Sequence, residues 1–534
     1  MDTLTIQRRR WLILSVLVVG LLAIVIDNTV LNVALKTIAD PAGGLGASQS
    51  QLEWAINSYT LVFAGLLFTF GVIGDRVGRK RMLMIGLTVF GLGSLFSAYS
   101  HSPDQLITAR ALMGLGGAAV MPQTLSIISN VFEPRERARA IGIWASAVGI
   151  GVAIGPVLGG TLLSHFWWGS VFLINVPVTV LGAAAVLAIV PESRNPSPGK
   201  IDFIGVLASV VGLVLLVYGI VQGGDTGSWV RADVLIPAIA GLAVLALFGW
   251  YETRISHPSL DVRLFRDRRL SASVGLIALL FFSMGGVYFF TSFYLQNVRG
   301  YTPLDAGLLA VPFAIGQFIV SPRSAALVSR FGARAVAGGG LLLNALAILG
   351  YAFLGLSTPI WVLAVLYGIQ GAGIGAAVPT ATNSVMEVLP RERAGAGSAL
   401  TNTARQVAVA LGVAVLGSIL AESYRSTMSP ALAALPAAAR DAAGQSISAT
   451  QAVAARFGAA GHALLAPANS AFVDAMHVTT LSAAALAILG GLVVMRWLPG
   501  RSRPNIEEVV AVEVAAAERE LAERRARARE LSER

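Results

Sequence analysis

An aspartate, Asp27, lies in the middle of the apolar segment LLAIVIDNTVLNVAL, residues 21–35. An ionised carboxylate near the centre of a bilayer costs roughly 2.5–3.5 kcal/mol on insertion scales, so we expect this residue to have a function. Reversible proton binding is the chemistry open to it, because desolvation favours the protonated carboxyl group and a nearby cation favours the carboxylate. Arg110, in another apolar segment, is the candidate cation.

The depths of these two residues agree. At 1.5 Å per residue, Asp27 lies ~13 Å along its helix from Lys36. By the same rise, Arg110 lies ~10 Å from Pro103. Lys36 and Pro103 mark the outer ends of their segments, so both functional side chains belong to the outer half of the bilayer.

Most other site chemistry is excluded by residue type. The chain has no cysteine, hence no disulfide, thiolate metal site or thiol nucleophile, and its five histidines form no ligand pair at helical spacing. It contains no GxxxxGK[ST] phosphate-binding loop and no HExxH zinc motif. We therefore expect no cofactor or metal, and neither an ATP-driven pump nor an enzyme. A receptor or a purely structural membrane protein stays open until transport is measured.

Composition identifies the elements that position these residues. Of 534 residues, 55% are hydrophobic and 13% are charged, which predicts an all-α polytopic membrane protein. Segments near the ~20 residues needed to cross a bilayer recur fourteen times. The predicted spans are 11–35, 50–73, 82–100, 105–130, 138–164, 170–190, 202–222, 233–251, 272–296, 306–328, 335–356, 360–386, 396–421 and 476–497. We interpret the arginines before the first span as flanks of a retained helix, not as a signal peptide.

Basic residues predict the orientation. Clusters such as DRVGRKR at 75–81, EPRERAR at 133–139 and RLFRDRR at 263–269 all fall on one side of the fourteen-span arrangement, so that side and both termini are cytoplasmic. This topology explains the net charge of +10, and we expect no nucleic-acid partner. The alanine-rich, arginine-rich composition indicates a bacterial inner membrane.

The chain also carries an internal repeat. The segment from Met113, MGLGGAAVMPQTLSIISNVFEPRERA, aligns with the segment from Gln370, QGAGIGAAVPTATNSVMEVLPRERA, so that Pro122 corresponds to Pro379. Duplicated halves around a central site are a known transporter plan. We predict six-helix bundles at 1–192 and 269–500, two inserted helices at 193–268, a long outer loop at 422–475 and a charged helical tail at 501–534.

The segment GVIGDRVGRKR, residues 71–81, forms the predicted short loop between the second and third spans. Its glycines allow close helix packing, its aspartate can bind helix amides or a basic side chain, and its cations hold the loop at the headgroups. We interpret it as a gating loop rather than a merely basic loop. Its residues are Gly71, Gly74, Asp75, Arg76, Gly78, Arg79, Lys80 and Arg81.

A proline and several glycines share the fifth span, in GIGVAIGPVLGG, residues 149–160. Proline removes a backbone donor, which predicts a bend, and the glycines form a face on which another helix can approach or slide. A static packing groove is the alternative. The residues concerned are Gly151, Gly155, Pro156, Gly159 and Gly160.

These motifs together resemble the major facilitator superfamily. GVIGDRVGRKR matches the family loop GxxxDRxGRK/R at every defined position, RALMGLGGAAVMP resembles the fourth-helix signature around Arg110 although Met113 replaces a common glutamine, and GPVLGG matches the antiporter signature GPxxGG. IDNTVLNVAL, FLINVP at 172–177 and TARQVAVALG at 403–412 resemble the fourteen-helix drug:H⁺ antiporters. The resemblance covers essentially the whole chain.

The resemblance implies a proton-coupled antiporter that exports lipophilic drugs or antibiotics from the cytoplasm or inner leaflet, driven by the proton gradient alone. A dedicated exporter of one endogenous antibiotic, pigment or lipid-like compound is the alternative. The implied partners are a lipophilic small molecule, H⁺ and the lipid bilayer, and we expect a monomer. In the family arrangement the first and fourth helices line the cavity, so we expect Asp27 and Arg110 to approach through water. Proton and substrate would then compete at Asp27. A structural ion pair is the alternative.

Residues expected to line the substrate cavity are Asn28, Asn32, Asn57, Tyr59, Tyr288, Tyr294, Arg405 and Gln406. The resemblance also marks departures. The position of Asn57 is often acidic in relatives that export bulky or divalent cations, and some relatives carry glutamates where Arg405 and Gln406 stand. Arg405 would either pair with an anionic substrate group or make a helix-packing hydrogen bond.

Overall fold

The computed structural model describes residues 3–194, 202–255, 262–388 and 394–498, which contain helices and connecting turns but no strand. The helices of the first part of the chain are α1 (Thr3–Ala39), α2 (Gln49–Val77), α3 (Arg79–Ala98), α4 (Pro103–Val131), α5 (Pro134–His165), α6 (Ser170–Leu173), α7 (Asn175–Ile189), α8 (Phe203–Thr226) and α9 (Ala232–Glu252). Those of the second part are α10 (Arg268–Phe293), α11 (Pro303–Leu308), α12 (Val311–Val320), α13 (Ser324–Phe331), α14 (Ala333–Tyr351), α15 (Ile360–Val388), α16 (Ala394–Leu432), α17 (Ala437–Ala443), α18 (Ile447–Arg456), α19 (Ala459–His462) and α20 (Leu465–Trp497).

The number of spans agrees in part with the expected fourteen. Within the described ranges, twelve helices are long and apolar enough to cross a bilayer, or thirteen when α2, bent by 54° between Leu67 and Thr69, counts as one span. Helix α5, 32 residues long, covers the one predicted span outside that count. Every predicted span therefore coincides with one helix or, at 170–190 and 306–328, with consecutive helices, while crossing by all fourteen is not established.

The helices on either side of the predicted outer loop are longer than the predicted spans. Helix α16 continues to Leu432 and α20 begins at Leu465, so the predicted outer loop 422–475 shortens to 433–464 and itself contains α17 to α19. Hydropathy detects the apolar length of a helix, whereas alanine-rich sequence extends the helix into polar surroundings. The predicted tail at 501–534 lies outside the described residues.

The helices pack as two bundles with a pair of helices beside them. In the first bundle α4 packs against α2 and α3, and α1 packs against α5 and α7. In the second, α10 packs against α16, and α14 and α12 pack against α15. Helices α8 and α9 pack on each other, and α8 also contacts α2 and α16, so it touches both bundles.

Hydrogen bonds join the two bundles at one end of this assembly. We call the end where α1 finishes and α2 begins the Gln49 end, and the end with the α2–α3 loop the Arg79 end. At the Gln49 end, Lys36 Nζ donates to the Gln296 carbonyl oxygen at 2.6 Å, and Gln296 Nε2 donates to the Val33 carbonyl oxygen at 2.9 Å. Gln49 Nε2 donates to the Gly417 carbonyl oxygen at 3.0 Å. These three bonds join the first bundle to the second.

Candidate functional site

Asp27 and Arg110 form a buried ion pair inside the first bundle. Arg110 Nη1 donates to Asp27 Oδ2, and each side chain is only 1% exposed. Arg110 Nε also donates to the Ala55 carbonyl oxygen at 3.2 Å, and the guanidinium carbon lies 4.4 Å from the centre of the Tyr59 ring. One cation thus connects α1, α2 and α4, at the similar depth that the sequence indicated.

The second carboxylate oxygen of Asp27 has its own donor. Asn175 Nδ2 donates to Asp27 Oδ1 at 3.0 Å and to Ser94 Oγ at 3.1 Å, and Ser94 Oγ donates to the Phe172 carbonyl oxygen at 2.8 Å. Sequence reasoning noted FLINVP but gave Asn175 no role. A lone asparagine beside an apolar run was the available signal, since buried polar groups need partners.

Glycine permits the close packing behind this pair. A Cβ built on Gly114 would lie 2.5 Å from the Tyr59 carbonyl oxygen, which is too close for any residue with a side chain. The small residue therefore lets α4 approach the α2 backbone and holds Arg110 against Tyr59.

A central cavity of about 210 Å³ lies between the two bundles. Its lining is mostly apolar and includes Phe63, Phe281, Met284 and Phe313. Of the residues expected there, Asn28, Asn32, Tyr288, Arg405 and Gln406 do line it. A mainly apolar wall with a few polar groups suits a lipophilic small molecule.

Three residues expected in the cavity lie elsewhere. Asn57 is fully buried, and among the described residues neither its amide nitrogen nor its amide oxygen has a hydrogen-bond partner. Tyr59 lies beside Arg110, and the Tyr294 hydroxyl donates to the Gly355 carbonyl oxygen at 2.7 Å within the second bundle. The rotation of a helix about its axis decides which of its residues face the cavity. The type of a single residue, aromatic or amide, does not indicate that rotation.

The ion pair lies behind the cavity wall, which corrects the expectation that Asp27 and Arg110 meet through water. Asn28 provides a connection, because it lines the cavity and its Nδ2 donates to the Tyr59 hydroxyl oxygen at 3.1 Å. Tyr59 in turn packs on Arg110. Asp27 itself does not line the cavity, and Asn28 and Tyr59 form the contact path from the cavity to the pair.

The second bundle is chemically different at the corresponding place. The repeat that aligns Pro122 with Pro379 aligns Arg110 with Tyr367. Tyr367 lines the cavity, and its ring centre lies 5.9 Å from that of Tyr288. Among the cavity-lining residues that the structure describes, Arg405 alone is charged; its Nη2 donates to Asn402 Oδ1 at 2.8 Å, and its guanidinium lies 5.4 Å from the Phe281 ring centre.

The expected gating loop connects three helices at the Arg79 end. Arg79 Nε pairs with Asp75 Oδ1 at 2.8 Å, its Nη1 donates to the Ser126 carbonyl oxygen at 3.4 Å, and its backbone N–H donates to the Ser193 carbonyl oxygen at 2.9 Å. Arg76 is exposed. Asp75 thus pairs with a basic side chain of its own loop, one of the two partners considered from sequence.

Glu192, which sequence reasoning missed, completes this loop. Its Oε1 accepts from the Lys80 backbone N–H at 3.1 Å, and its Oε2 lies 3.8 Å from Arg81 Nε. Lys80 Nζ donates to the Leu187 carbonyl oxygen at 2.7 Å. An acid just after a span is a weak signal, because most such residues only meet solvent.

Glycine is required at Gly78, and Gly74 packs closely on α4. Gly78 has φ +124°, a conformation that other residues rarely adopt, and a Cβ on Gly74 would lie 2.2 Å from Gln123 Oε1. At Gly71 the nearest atom, Pro122 Cβ, would lie at an ordinary 3.6 Å.

The antiporter-like glycines present two faces of α5. A Cβ on Gly151, Gly155 or Gly159 would meet Val25, Thr29 or Val30 of α1, within the same bundle. On the other face, a Cβ on Gly160 would lie 2.5 Å from Leu304 Cα, and a Cβ on Gly307 would lie 2.1 Å from the Pro156 carbonyl oxygen. Pro156 and Gly160 therefore touch α11 of the second bundle.

Comparison with known proteins completes these observations. Residues 17–413 match the Major Facilitator Superfamily. The chain is 35% identical over 423 residues to the methyl viologen resistance protein SmvA of Salmonella typhimurium, covering 79% of this chain and 84% of that protein. It is 34% identical over 488 residues to the multidrug efflux pump LfrA of Mycolicibacterium smegmatis, covering 91% and 96%. The inward-facing, unoccupied structure of a bacterial homologue of the lysosomal transporter Spinster shares the fold, with a TM-score of 0.64, 19% identity and coverage of 92% and 99%.

Proposed function

Since this chain belongs to the Major Facilitator Superfamily and to its drug and antibiotic efflux proteins, we propose that it exports lipophilic small molecules in exchange for protons. It is a transporter and not an enzyme. The observation that carries the proposal is the apolar cavity between the bundles, connected through Asn28 and Tyr59 to the buried Asp27–Arg110 pair.

The proposed topology has fourteen spans, with α5 crossing the membrane as well as the helices counted above. Basic clusters at the Arg79 end support a cytoplasmic position for that end and for both termini in a bacterial inner membrane. The Gln49 end then faces outward. We propose a monomer as the transporting unit, because the cavity and the ion pair lie within one chain.

The proposed cycle is alternating access between the two bundles. Contacts across the bundles at the Gln49 end support an inward-facing state in which the outer side is closed. Opening at that end would admit water to Asp27, and protonation would weaken its attraction for Arg110. Substrate entering from the cytoplasm or inner leaflet would contact Asn28 and, through Tyr59, favour the Asp27–Arg110 pair of this state, so that the proton is released inward.

The proton gradient supplies enough free energy for this work. One proton crossing about 150 mV contributes roughly 3.5 kcal/mol. For a neutral substrate that corresponds to a gradient of about 300-fold, whereas a monovalent cation exchanged for one proton would feel only the pH difference.

Transport into everted membrane vesicles tests this function. Neutral, acidic and cationic lipophilic compounds are each offered with a proton gradient and again after an uncoupler collapses it. We expect uptake that depends on the gradient for at least the neutral compounds, because the cavity wall is apolar. Uptake equal to that of vesicles lacking the protein for every compound would refute the proposal.

Arg405 is predicted to decide how well acidic substrates bind. A charge-assisted hydrogen bond contributes about 1.5–3 kcal/mol, so Arg405→Gln should raise KM for acidic lipophilic substrates by about ten-fold or more and leave KM for neutral ones unchanged. Uptake by everted vesicles measures both. Arg405→Lys is the matched control and should recover part of the affinity for acids. An equal loss for acidic and neutral substrates would assign Arg405 to helix packing.

A further inference from the structure

A second buried carboxyl group lies where the two bundles meet at the Gln49 end. Glu53, one turn into α2, is 2% exposed. A Cβ built on Gly417 of α16 would lie 2.3 Å from Glu53 Oε1, so the carboxyl group packs directly on the backbone of the second bundle. Gln49 Nε2 donates to Glu53 Oε1 at a long 3.4 Å, and to the Gly417 carbonyl oxygen at 3.0 Å.

The charged groups around Glu53 do not neutralise it. Among the described residues, no lysine, arginine or histidine nitrogen lies within 4.0 Å of its carboxyl oxygens. On α16, Arg425 pairs with Glu422 at 3.4 Å and donates to the Asp225 carbonyl oxygen at the end of α8. The carboxylate of Asp225 acts on Glu53 as a further negative charge.

The α4 side offers no free cation either. Arg110 reaches the Ala55 carbonyl oxygen, two residues from Glu53, but its charge is paired with Asp27. Asp104, near the start of α4, accepts from Gln51 Nε2 at 3.4 Å and is a further acid on this side.

A carboxyl group in these surroundings fits between the bundles in its protonated form. Burying an ionised carboxylate without a cation and with one weak donor is unfavourable, and a buried group of this kind takes up a proton instead. When α2 and α16 separate at the Gln49 end, water reaches the carboxyl group and supports its ionised form. A group that binds a proton in only one of two states makes the equilibrium between the states depend on pH.

We propose that Glu53 is a second proton-binding site, separate from Asp27, and that its protonation closes the Gln49 end of the transporter. The inference rests on the proposed function for the alternation between two states. Because the closed state holds more protons, acid on the outer side favours closure and alkali favours opening. Each transport cycle then involves a proton that controls the gate as well as the proton at Asp27.

The absence of cysteine allows a direct test. Ala310→Cys places one thiol in the cavity wall. Right-side-out vesicles are labelled with a membrane-impermeant maleimide between about pH 5.5 and 8, for the Ala310→Cys protein and for the same protein with Glu53→Gln. The ratio of the two labelling rates at each pH removes the pH dependence of the thiol itself and of Asp27, which both proteins share.

We expect labelling of the Glu53 protein, relative to the Glu53→Gln protein, to rise with pH by up to about ten-fold per pH unit, the limit for one proton. Glutamine mimics the protonated acid, so its protein should stay closed. Asp233→Asn, at an exposed acid near the start of α9, is the matched control and should leave the ratio to the parent flat. Glu53→Asp, which still titrates, should keep the pH dependence and serves if the glutamine variant does not fold.

A flat ratio between the Glu53 and Glu53→Gln proteins across the pH range would overturn the proposal. Efflux of a neutral lipophilic compound from cells producing the Ala310→Cys parent is measured alongside. If the parent protein exports the compound but the labelling ratio is flat, the Glu53 proposal is wrong and the proposed function is unaffected. A pH-dependent ratio without efflux of any tested compound supports the Glu53 site and counts against the proposed function.

Discussion

Replacing Asp27 by asparagine is expected to abolish proton-driven accumulation, from up to about 300-fold to no gradient, because an amide cannot bind and release the proton that drives transport. Exchange of substrate down its own gradient should persist, since Asn28 and the cavity wall are unchanged. Substrate counterflow in proteoliposomes measures exchange, and accumulation in everted vesicles measures coupling. Accumulation at the wild-type level by Asp27→Asn would contradict the assignment.

The stability of that variant needs its own control. Removing one partner of a buried ion pair costs about 3–5 kcal/mol because the other charge stays buried and unpaired. The double variant Asp27→Asn, Arg110→Gln removes both charges, so it should fold better than Asp27→Asn and be equally unable to accumulate substrate. Thermal unfolding of the purified proteins compares their stabilities.

Arg110→Lys separates the charge from the shape of the cation. The guanidinium bonds Asp27 and the Ala55 carbonyl oxygen at once while lying over the Tyr59 ring, and a lysine cannot reproduce that geometry. The variant should therefore lose most accumulation although the charge is kept. Wild-type accumulation by Arg110→Lys would show that Arg110 supplies charge only.

Gly160→Ala is expected to cause the second large effect, by preventing closure of the Gln49 end. The added Cβ would lie 2.5 Å from Leu304 Cα and from the Pro303 carbonyl oxygen, both backbone atoms that can move only if α5 and α11 separate. Overpacking of this kind costs about 1–3 kcal/mol, which shifts a two-state equilibrium about 5- to 150-fold toward the state without the contact. Efflux should fall by a similar factor, and labelling of a cavity cysteine from the outer side should rise.

The neighbouring glycine provides the matched control. A Cβ on Gly159 would lie 2.9 Å from Val30 Cγ1, a side-chain atom of the same bundle, so both states bear the strain equally. Gly159→Ala should leave outer labelling unchanged. Equal labelling of the two variants would indicate that the Gly160 contact does not distinguish the two states.

The first and fourth helices illustrate how far sequence reasoning reached. A charged residue in an apolar run is costly whichever way the helix is rotated, so Asp27 and Arg110 could be identified from sequence. Their shared depth followed from the rise per residue. Whether Asp27 faces water or protein depends on helix rotation, and the expected water-filled approach was wrong for that reason. Asn175 and Tyr59 acquire their roles only because α7 and α2 pack beside the pair.

The contact of Glu53 with the second bundle shows the same limit more sharply. In the sequence, Glu53 is an acid near the start of the second predicted span, and its burial depends on Gly417, 364 positions further along the chain. Composition, hydropathy and motif spacing can be evaluated from the order of residues alone. The sequence by itself therefore determined the helical membrane class, nearly every span, the duplicated halves and the pair of ionisable residues. Burial, cavity lining and contacts between the bundles arise from segments far apart in the chain. Only the tertiary structure therefore decided that Asn57, Tyr59 and Tyr294 lie away from the cavity, that Asp27 lies behind its wall and that Glu53 packs against the second bundle.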